Sequence, residues 1–179
     1  MVRRLDIHKE IGLGSASFYD EFLHIPLIFF NPSFDAQRIT DLVSTLDVGP
    51  TILDMIGERK QPSFQGQSIT GSNYSAKSEV IGEHLHRGQC DIAKKPIYLC
   101  VRTKKYKLIW REYLYEKDTH NVQYELYDLV DDPNERTNRY QDKELISVRD
   151  ELLKIALRRY GIVKLQRGKV DEAVCKDVC

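Results

Sequence analysis

"PIYLCVRTKKYKLIWREY", residues 96–113, decides how this chain is to be read. Two runs rich in β-branched and aromatic residues are separated only by the region around Lys104, which is the signature of a hairpin and hence of an antiparallel sheet. "EVIGEHL" (79–85) upstream and "QYELYDL" (123–129) downstream have the same character, so they join the hairpin as further strands. "DDPNERTN" (131–138) then turns the chain, because Pro133 fixes φ and the Asp and Asn side chains bond back to the backbone. From Asp142, a helix N-cap, the residues Leu145, Val148, Leu152, Ile155 and Ala156 make one apolar stripe that is expected to stop at Gly161. A small sheet beside a helix with one apolar face predicts a two-layer unit, after which "LQRGKVDEAVCKDVC" (165–179) is expected to fray.

The chain before this unit is organised differently. "IPLIFF" (25–30) is a short continuous apolar run, the pattern of a strand buried on both faces of a parallel sheet. In "TDLVSTLDVGPTILDMIG" (40–57), Leu42, Leu46, Val48, Ile52, Leu53 and Ile56 recur at helical intervals, Pro50 fits a first helical turn, and Gly57 stops the helix. A polar, Ser- and Gly-rich segment (58–78) follows. The expected division is therefore an α/β part over 1–75, an antiparallel-sheet-plus-helix part over 76–165 and a flexible tail over 166–179. The fold class is α/β, turning α+β in the C-terminal half.

Composition narrows the partners. The 179 residues carry 27 basic and 27 acidic side chains, and a balanced chain with no basic stripe offers no electrostatic case for nucleic acid or an anionic membrane. Met1-Val2-Arg3-Arg4 mimics the charged end of a secretion signal, but Asp6, His8, Lys9 and Glu10 stand where an apolar run should follow. The expectation is therefore a chain with no signal peptide and no membrane span, cytoplasmic by default. Cys90, Cys100, Cys175 and Cys179 show no C-x-x-C spacing, which leaves ordinary thiols, a disulfide or an adventitious metal site open. Lys176 at the fourth position from the end excludes prenylation.

For chemistry, His84 and His86 alternate in "GEHLH" and would share one face of a strand, with Glu83 beside them. Two histidines do not complete a metal site, so three readings stand: part of a metal site, a substrate-facing histidine at a cleft, or a half-exposed strand edge. Asp20-Glu21 reads as helix-start chemistry and Asp131-Asp132 as turn chemistry. G-x-S-x-G, P-loop and G-x-G-x-x-G motifs do not occur; "GLGS" (12–15) says only that the backbone turns tightly.

"SFYDEFLHIPLIFFNPSF", "RITDLVSTLDVGPTILDMIG" and "FQGQSI", followed by "VRTKKYKLIW" and "ELYDLVDDPNERTN", resemble in order and spacing the last third of the sulfatases. The resemblance covers about residues 8–160. It implies the end of an alkaline-phosphatase-like doubly wound core, followed by that family's small antiparallel sheet packed on a C-terminal helix. It also implies a sulfuric ester hydrolase chemistry that needs an oxidised cysteine or serine in C/S-x-P-x-R, a calcium or magnesium ion on an acidic cluster, and basic groups around the sulfate.

None of the four cysteines is followed by proline at the second position, and "MVRRLDI" (1–7) does not match the Asp-His or Asp-Asn pair that completes the cation site in relatives. By resemblance this chain has no catalytic residue and no metal ligand, and its frame begins just after the last of them. Where many relatives place Gly-His-Gly or Gly-Lys at the sulfate, this sequence has Gly12-Leu13-Gly14-Ser15, and Leu13 supplies neither proton nor charge. His8 aligns with a histidine of a Gly-Glu-His segment. The substrate-contact candidates are His8, Glu83, His84 and Arg87. Two functional readings remain: the C-terminal portion of a sulfatase, inactive alone and working with a missing N-terminal portion, and a non-catalytic sulfatase-like binding module. The first expects "IPLIFF" to expose an unsatisfied edge and the chain to self-associate.

Overall fold

A computed structural model describes residues 18–32, 35–59, 61–85, 97–114 and 120–178. They divide into two compact units: the described residues up to Leu27 together with those from Ile81 onward, and Ile28–Val80.

The first unit is built on a four-stranded sheet in the order β1-β2-β3-β4, with β1 Glu79–Leu85, β2 Ile97–Thr103, β3 Tyr106–Leu114 and β4 His120–Asp128. The expected hairpin is present. β2 and β3 pair antiparallel with Val101 opposite Leu108 and Arg102 opposite Lys107, and Thr103 closes the turn by accepting from the Tyr106 N–H and donating to its carbonyl. β3 and β4 are also antiparallel, with Trp110 opposite Tyr124 and Leu108 opposite Leu126. Strict alternation sorts the side chains: Ile97, Leu99, Val101, Leu108, Trp110 and Leu126 form one buried layer, whereas Tyr98, Cys100, Ile109 and Tyr127 face the other way.

A helix, α3 (Ile146–Val178), covers the first of these faces through Leu152, Ala156 and Val163. The short 3-10 turn Lys143–Leu145 before it contributes Leu145, and Asp142 takes the N-cap position without a side-chain cap bond. The expected stop at Gly161 does not occur, and helix continues from there to Val178. One glycine costs a helix only about 1 kcal/mol relative to alanine, and no proline follows to enforce an end.

The opposite face is covered by the chain around Phe18–Asp20, which leads into a one-turn helix, α1 (Asp20–Leu23). Beyond α1 the expected strand is absent: residues 24–31 make no ladder, with Ile28 86% and Phe30 89% exposed. A strand buried on both faces needs a neighbour along each edge, and among the described residues nothing pairs with this run.

At the far edge, β4 is closed by a side chain. Asn138 Oδ1 accepts from the Leu126 N–H (3.0 Å) and its Nδ2 donates to the Tyr124 carbonyl (3.1 Å), while the Arg139 N–H donates to the Leu126 carbonyl (2.8 Å). One amide thus takes the place of a next strand's peptide group.

The second unit centres on a helix, α2 (Val48–Met55), entered through the 3-10 turn Thr45–Asp47. Ser44 and Asp47 form a capping box, and Gly57, at φ +77°, ends the helix as expected. Its buried residues are Pro50 and Thr51, beside buried Asp47, whereas Leu46, Ile52 and Ile56 of the expected apolar stripe are exposed. Asp47 gathers the unit: its carboxylate accepts from the Ser44 N–H (2.9 Å) and the Gln67 N–H (2.8 Å) and pairs with Lys77. The Thr51 hydroxyl donates to the Asp47 carbonyl (2.6 Å) and accepts from the Ile69 N–H (3.1 Å), so the 67–69 segment is tied to the helix start.

Candidate functional site

The chemistry-bearing residues of the first unit lie on the sheet face turned away from α3. Hairpin register places Arg102 directly opposite Lys107, and like charges across a strand pair are unfavourable unless an anion stands between them. Two carboxylates fill that role. Arg102 donates from Nε and its second terminal nitrogen to the two carboxylate oxygens of Asp20 (3.1 and 2.9 Å), and Lys107 Nζ pairs with Asp20 and stands 2.7 Å from Glu135 Oε1. Lys107 is completely buried. Burial alone would raise the Asp20 carboxyl, but hydrogen bonds from Arg102 and Lys107 outweigh it and hold its pKa at about 2, below the ordinary 3.8.

Glu135 reaches this site by an unusual backbone. Asp132 Oδ2 accepts from the Arg136 and Thr137 N–H groups (2.6 and 2.8 Å), which is the expected turn chemistry, and within that turn Glu135 adopts φ +52°. Left-handed backbone is costly for a residue with a side chain. Here it delivers a buried carboxylate whose Oε2 accepts from the Asp20 N–H (2.7 Å).

A second constellation adjoins the first. Glu125 Oε2 accepts from the hydroxyls of Tyr19 (3.0 Å) and Tyr127 (2.8 Å), and its other oxygen pairs with Arg111, whose guanidinium lies 5.8 Å from the centre of the Tyr19 ring. Burial, and then the negative charge of Glu125, raise the pKa values of both phenols, so they remain hydroxyl donors. Cys100, on the same face, is buried, and burial pushes its thiol up to about 12.

The predicted contacts are distributed differently. Glu83 and His84 lie on opposite faces of β1: Glu83 accepts two bonds from Arg159 of α3 (2.8 and 2.5 Å), while the His84 ring stacks on Tyr98 at 5.9 Å. Adjacent strand residues must diverge in this way. His8 and Arg87 lie outside the described residues, as do His86 and the Gly12–Ser15 loop. Asp20, read from sequence as helix-start chemistry, does begin α1, but its carboxylate is spent on Arg102 and Lys107 rather than on capping. Among the described residues no group of three or more His, Cys, Asp or Glu is arranged to hold a metal ion, and no helix is long and apolar enough to cross a membrane.

Sequence reasoning missed Lys107, Arg102, Glu135 and Glu125. One signal was available: a hairpin turning at Lys104 sets Arg102 and Lys107 opposite each other and so demands anions. Which carboxylates answer could not be read, because Asp20 and Glu135 come from far along the chain.

Residues 15–160 match the family described as N-sulphoglucosamine sulphohydrolase, C-terminal. The chain is similar to mouse arylsulfatase K, 32% identical over 130 residues that make up 68% of this chain and 22% of the relative. It is also similar to human N-acetylglucosamine-6-sulfatase, 27% identical over 157 residues covering 72% of this chain and 28% of the relative. Among solved structures, one from Bacteroides thetaiotaomicron titled as a sulfatase superposes with a TM-score of 0.65 at 24% identity, covering 86% of this chain and 33% of that one, which supports the fold. The chain thus spans about a quarter of the length of the curated relatives it matches. With the antiparallel sheet, the packed helix and residues 15–160 all agreeing, the chain belongs to the sulfatase family of the alkaline phosphatase superfamily, where it corresponds to the C-terminal region.

Proposed function

We propose that this chain serves as the C-terminal part of a sulfuric ester hydrolase, contributing part of the core and one wall of the substrate cleft, and that it hydrolyses nothing alone. The observation that carries this reading is the exposure of residues whose pattern is that of a protein interior. Ile25, Ile28 and Phe30 in the run expected to be a core strand, and Leu46, Ile52 and Ile56 in and beside α2, lie open to solvent. Apolar exposure of this kind marks surfaces that another layer of protein covers. The remainder of a sulfatase, on the same chain or a separate one, is the partner that suits it. Without that partner the same residues drive self-association.

The chemistry agrees. The 179 residues contain no C/S-x-P-x-R, so the attacking group must come from the partner. This reading also assigns to the partner the ligands of the calcium or magnesium ion that the family implies; among the described residues no group of three or more His, Cys, Asp or Glu is arranged to hold one. His84, stacked on Tyr98 at the β1 side of the sheet, is the described residue best suited to face a sulfate ester; Glu83, held by Arg159, supports the strand instead.

An aryl sulfate assay with added calcium or magnesium tests this, first on the chain alone and then after co-expression with an N-terminal sulfatase portion carrying C/S-x-P-x-R. Sulfate release is expected only from the second preparation. Release by the purified chain alone would refute the reading. Leu13, where relatives carry a basic residue by resemblance, favours a second reading as a non-catalytic binding module. Stable assembly with the N-terminal portion but no turnover selects that one.

A further inference from the structure

We propose that the sheet face opposite α3 is a binding site for an aromatic-tyrosine-aspartate peptide, occupied in this structure by Phe18-Tyr19-Asp20, and that it holds the upstream chain without help from the covalent path through residues 28–80.

Recognition is complete for each of the three residues. The Phe18 ring lies over Gly82, where an added Cβ would stand 3.3 Å from its Cε1, so the glycine provides the room for the ring. The Phe18 carbonyl accepts from Lys107 Nζ (3.1 Å). The Tyr19 hydroxyl donates to Glu125 (3.0 Å), and the ring meets Tyr127 edge-on at 6.1 Å. The Asp20 N–H donates to Glu135 (2.7 Å), and its carboxylate takes the bidentate Arg102 contact and Lys107. Two side-chain pockets, a charge clamp and two main-chain contacts are therefore all supplied by β1, β2, β3, β4 and the 131–138 turn.

The chemistry also defines what is refused. Arg102 and Lys107 face each other across the hairpin, so an uncharged residue at the third position leaves half-buried Arg102 without the carboxylate that holds it and buried Lys107 with Glu135 alone. Glutamate would carry the charge one methylene too far for the same bidentate geometry while its N–H sits on Glu135. A bulkier residue at position 82 would displace the phenyl ring.

The topology makes the site separable. The Phe18–Leu27 stretch and the sheet belong to one compact unit although residues 28–80 form another, so the two parts of the first unit are joined by contact as well as by chain. The inference goes beyond the hydrolytic reading and is measured as peptide retention, so a complemented preparation that releases no sulfate leaves it standing.

The test uses the full chain with a specific protease site inserted after Pro32. After cleavage, the N-terminal fragment is expected to co-elute with residues 33–179 in gel filtration at about 1 μM, and to be displaced by excess synthetic peptide of residues 15–24. Asp20→Asn, which lies in the fragment and leaves the sheet residues intact, should weaken retention at least about tenfold, and Gly82→Val should weaken it by a comparable factor. Release of the wild-type fragment, whether or not the sheet unfolds with it, overturns the proposal. Equal retention of wild type and Asp20→Asn overturns the assigned chemistry of the site.

Discussion

Replacing Lys107 by methionine should be among the most damaging single changes in the first unit, although it exchanges a charged residue for an apolar one in a buried position. Lys107 is fully buried, and its Nζ holds Asp20, Glu135 and the Phe18 carbonyl together. Methionine preserves nearly all of the aliphatic volume, so packing contributes little. Electrostatics decides the outcome: the Glu135 carboxylate, with a side chain 1% exposed, loses the cation beside it. Removing one member of a buried pair costs about 3–5 kcal/mol, a large share of the roughly 5–15 kcal/mol that keeps a domain folded. Asp20 retains Arg102, so the lower end, about 3 kcal/mol, is expected.

Trp110 makes the assay direct. It is the single tryptophan, buried between the sheet and α3 with its ring 4.5 Å from that of Tyr160, so its fluorescence in a urea titration reports on this layer. Adding Glu135→Gln to Lys107→Met should recover part of the loss, because the amide oxygen can still accept from the Asp20 N–H while the buried negative charge that Lys107 balanced is gone. A coupling of at least about 1.5 kcal/mol is expected from the cycle. A loss below about 1 kcal/mol for Lys107→Met, or strict additivity in the double variant, would refute the argument that these charges depend on one another.

Asp20 predicts a pH dependence. Its pKa is lowered from 3.8 to about 2, so its stabilisation is complete above the unfolded-state value and lost as pH falls from 3.8 through 2; the Trp110 signal of wild type should show that acid step, and Asp20→Asn should lack it. Gly66→Ala should disrupt the second unit specifically, because a Cβ there would overlap the Leu46 carbonyl oxygen and stand 2.8 Å from the Asp47 nitrogen; proteolysis within residues 58–78 should accelerate while the Trp110 signal holds. Cys100, with its thiol pushed up to about 12 by burial, should stay unmodified by iodoacetamide at pH 8 in the native protein and react only on unfolding, as read by peptide mass spectrometry.

The sheet was legible because its strands carry the aromatic and β-branched residues that half-buried ladders favour, and because one short turn sets the β2–β3 register. The turn chemistry of Asp132 and the helix stop at Gly57 were legible for the same local reason. Reading failed where the deciding partner is remote or is not among the described residues. "IPLIFF" has a strand's composition but no ladder partner among the described residues, and α2 turns Asp47, Pro50 and Thr51 inward because hydrogen bonds to the 67–69 segment outweigh the apolar periodicity. Gly161 failed differently, since a residue that merely weakens a helix was read as one that ends it. For the charged site, the register that sets Arg102 opposite Lys107 was a signal left unused, whereas Glu135 depended on a left-handed backbone that no periodicity encodes.

The side-chain amide of Asn138 limits how this architecture can grow. By engaging the Tyr124 carbonyl and the Leu126 N–H it seals that stretch of the outer rim of β4, so lateral recruitment of another polypeptide there would first have to evict it. Among the described residues the opposite rim of the sheet is β1, whose His84 stacks on Tyr98 of β2 rather than meeting such a side-chain seal.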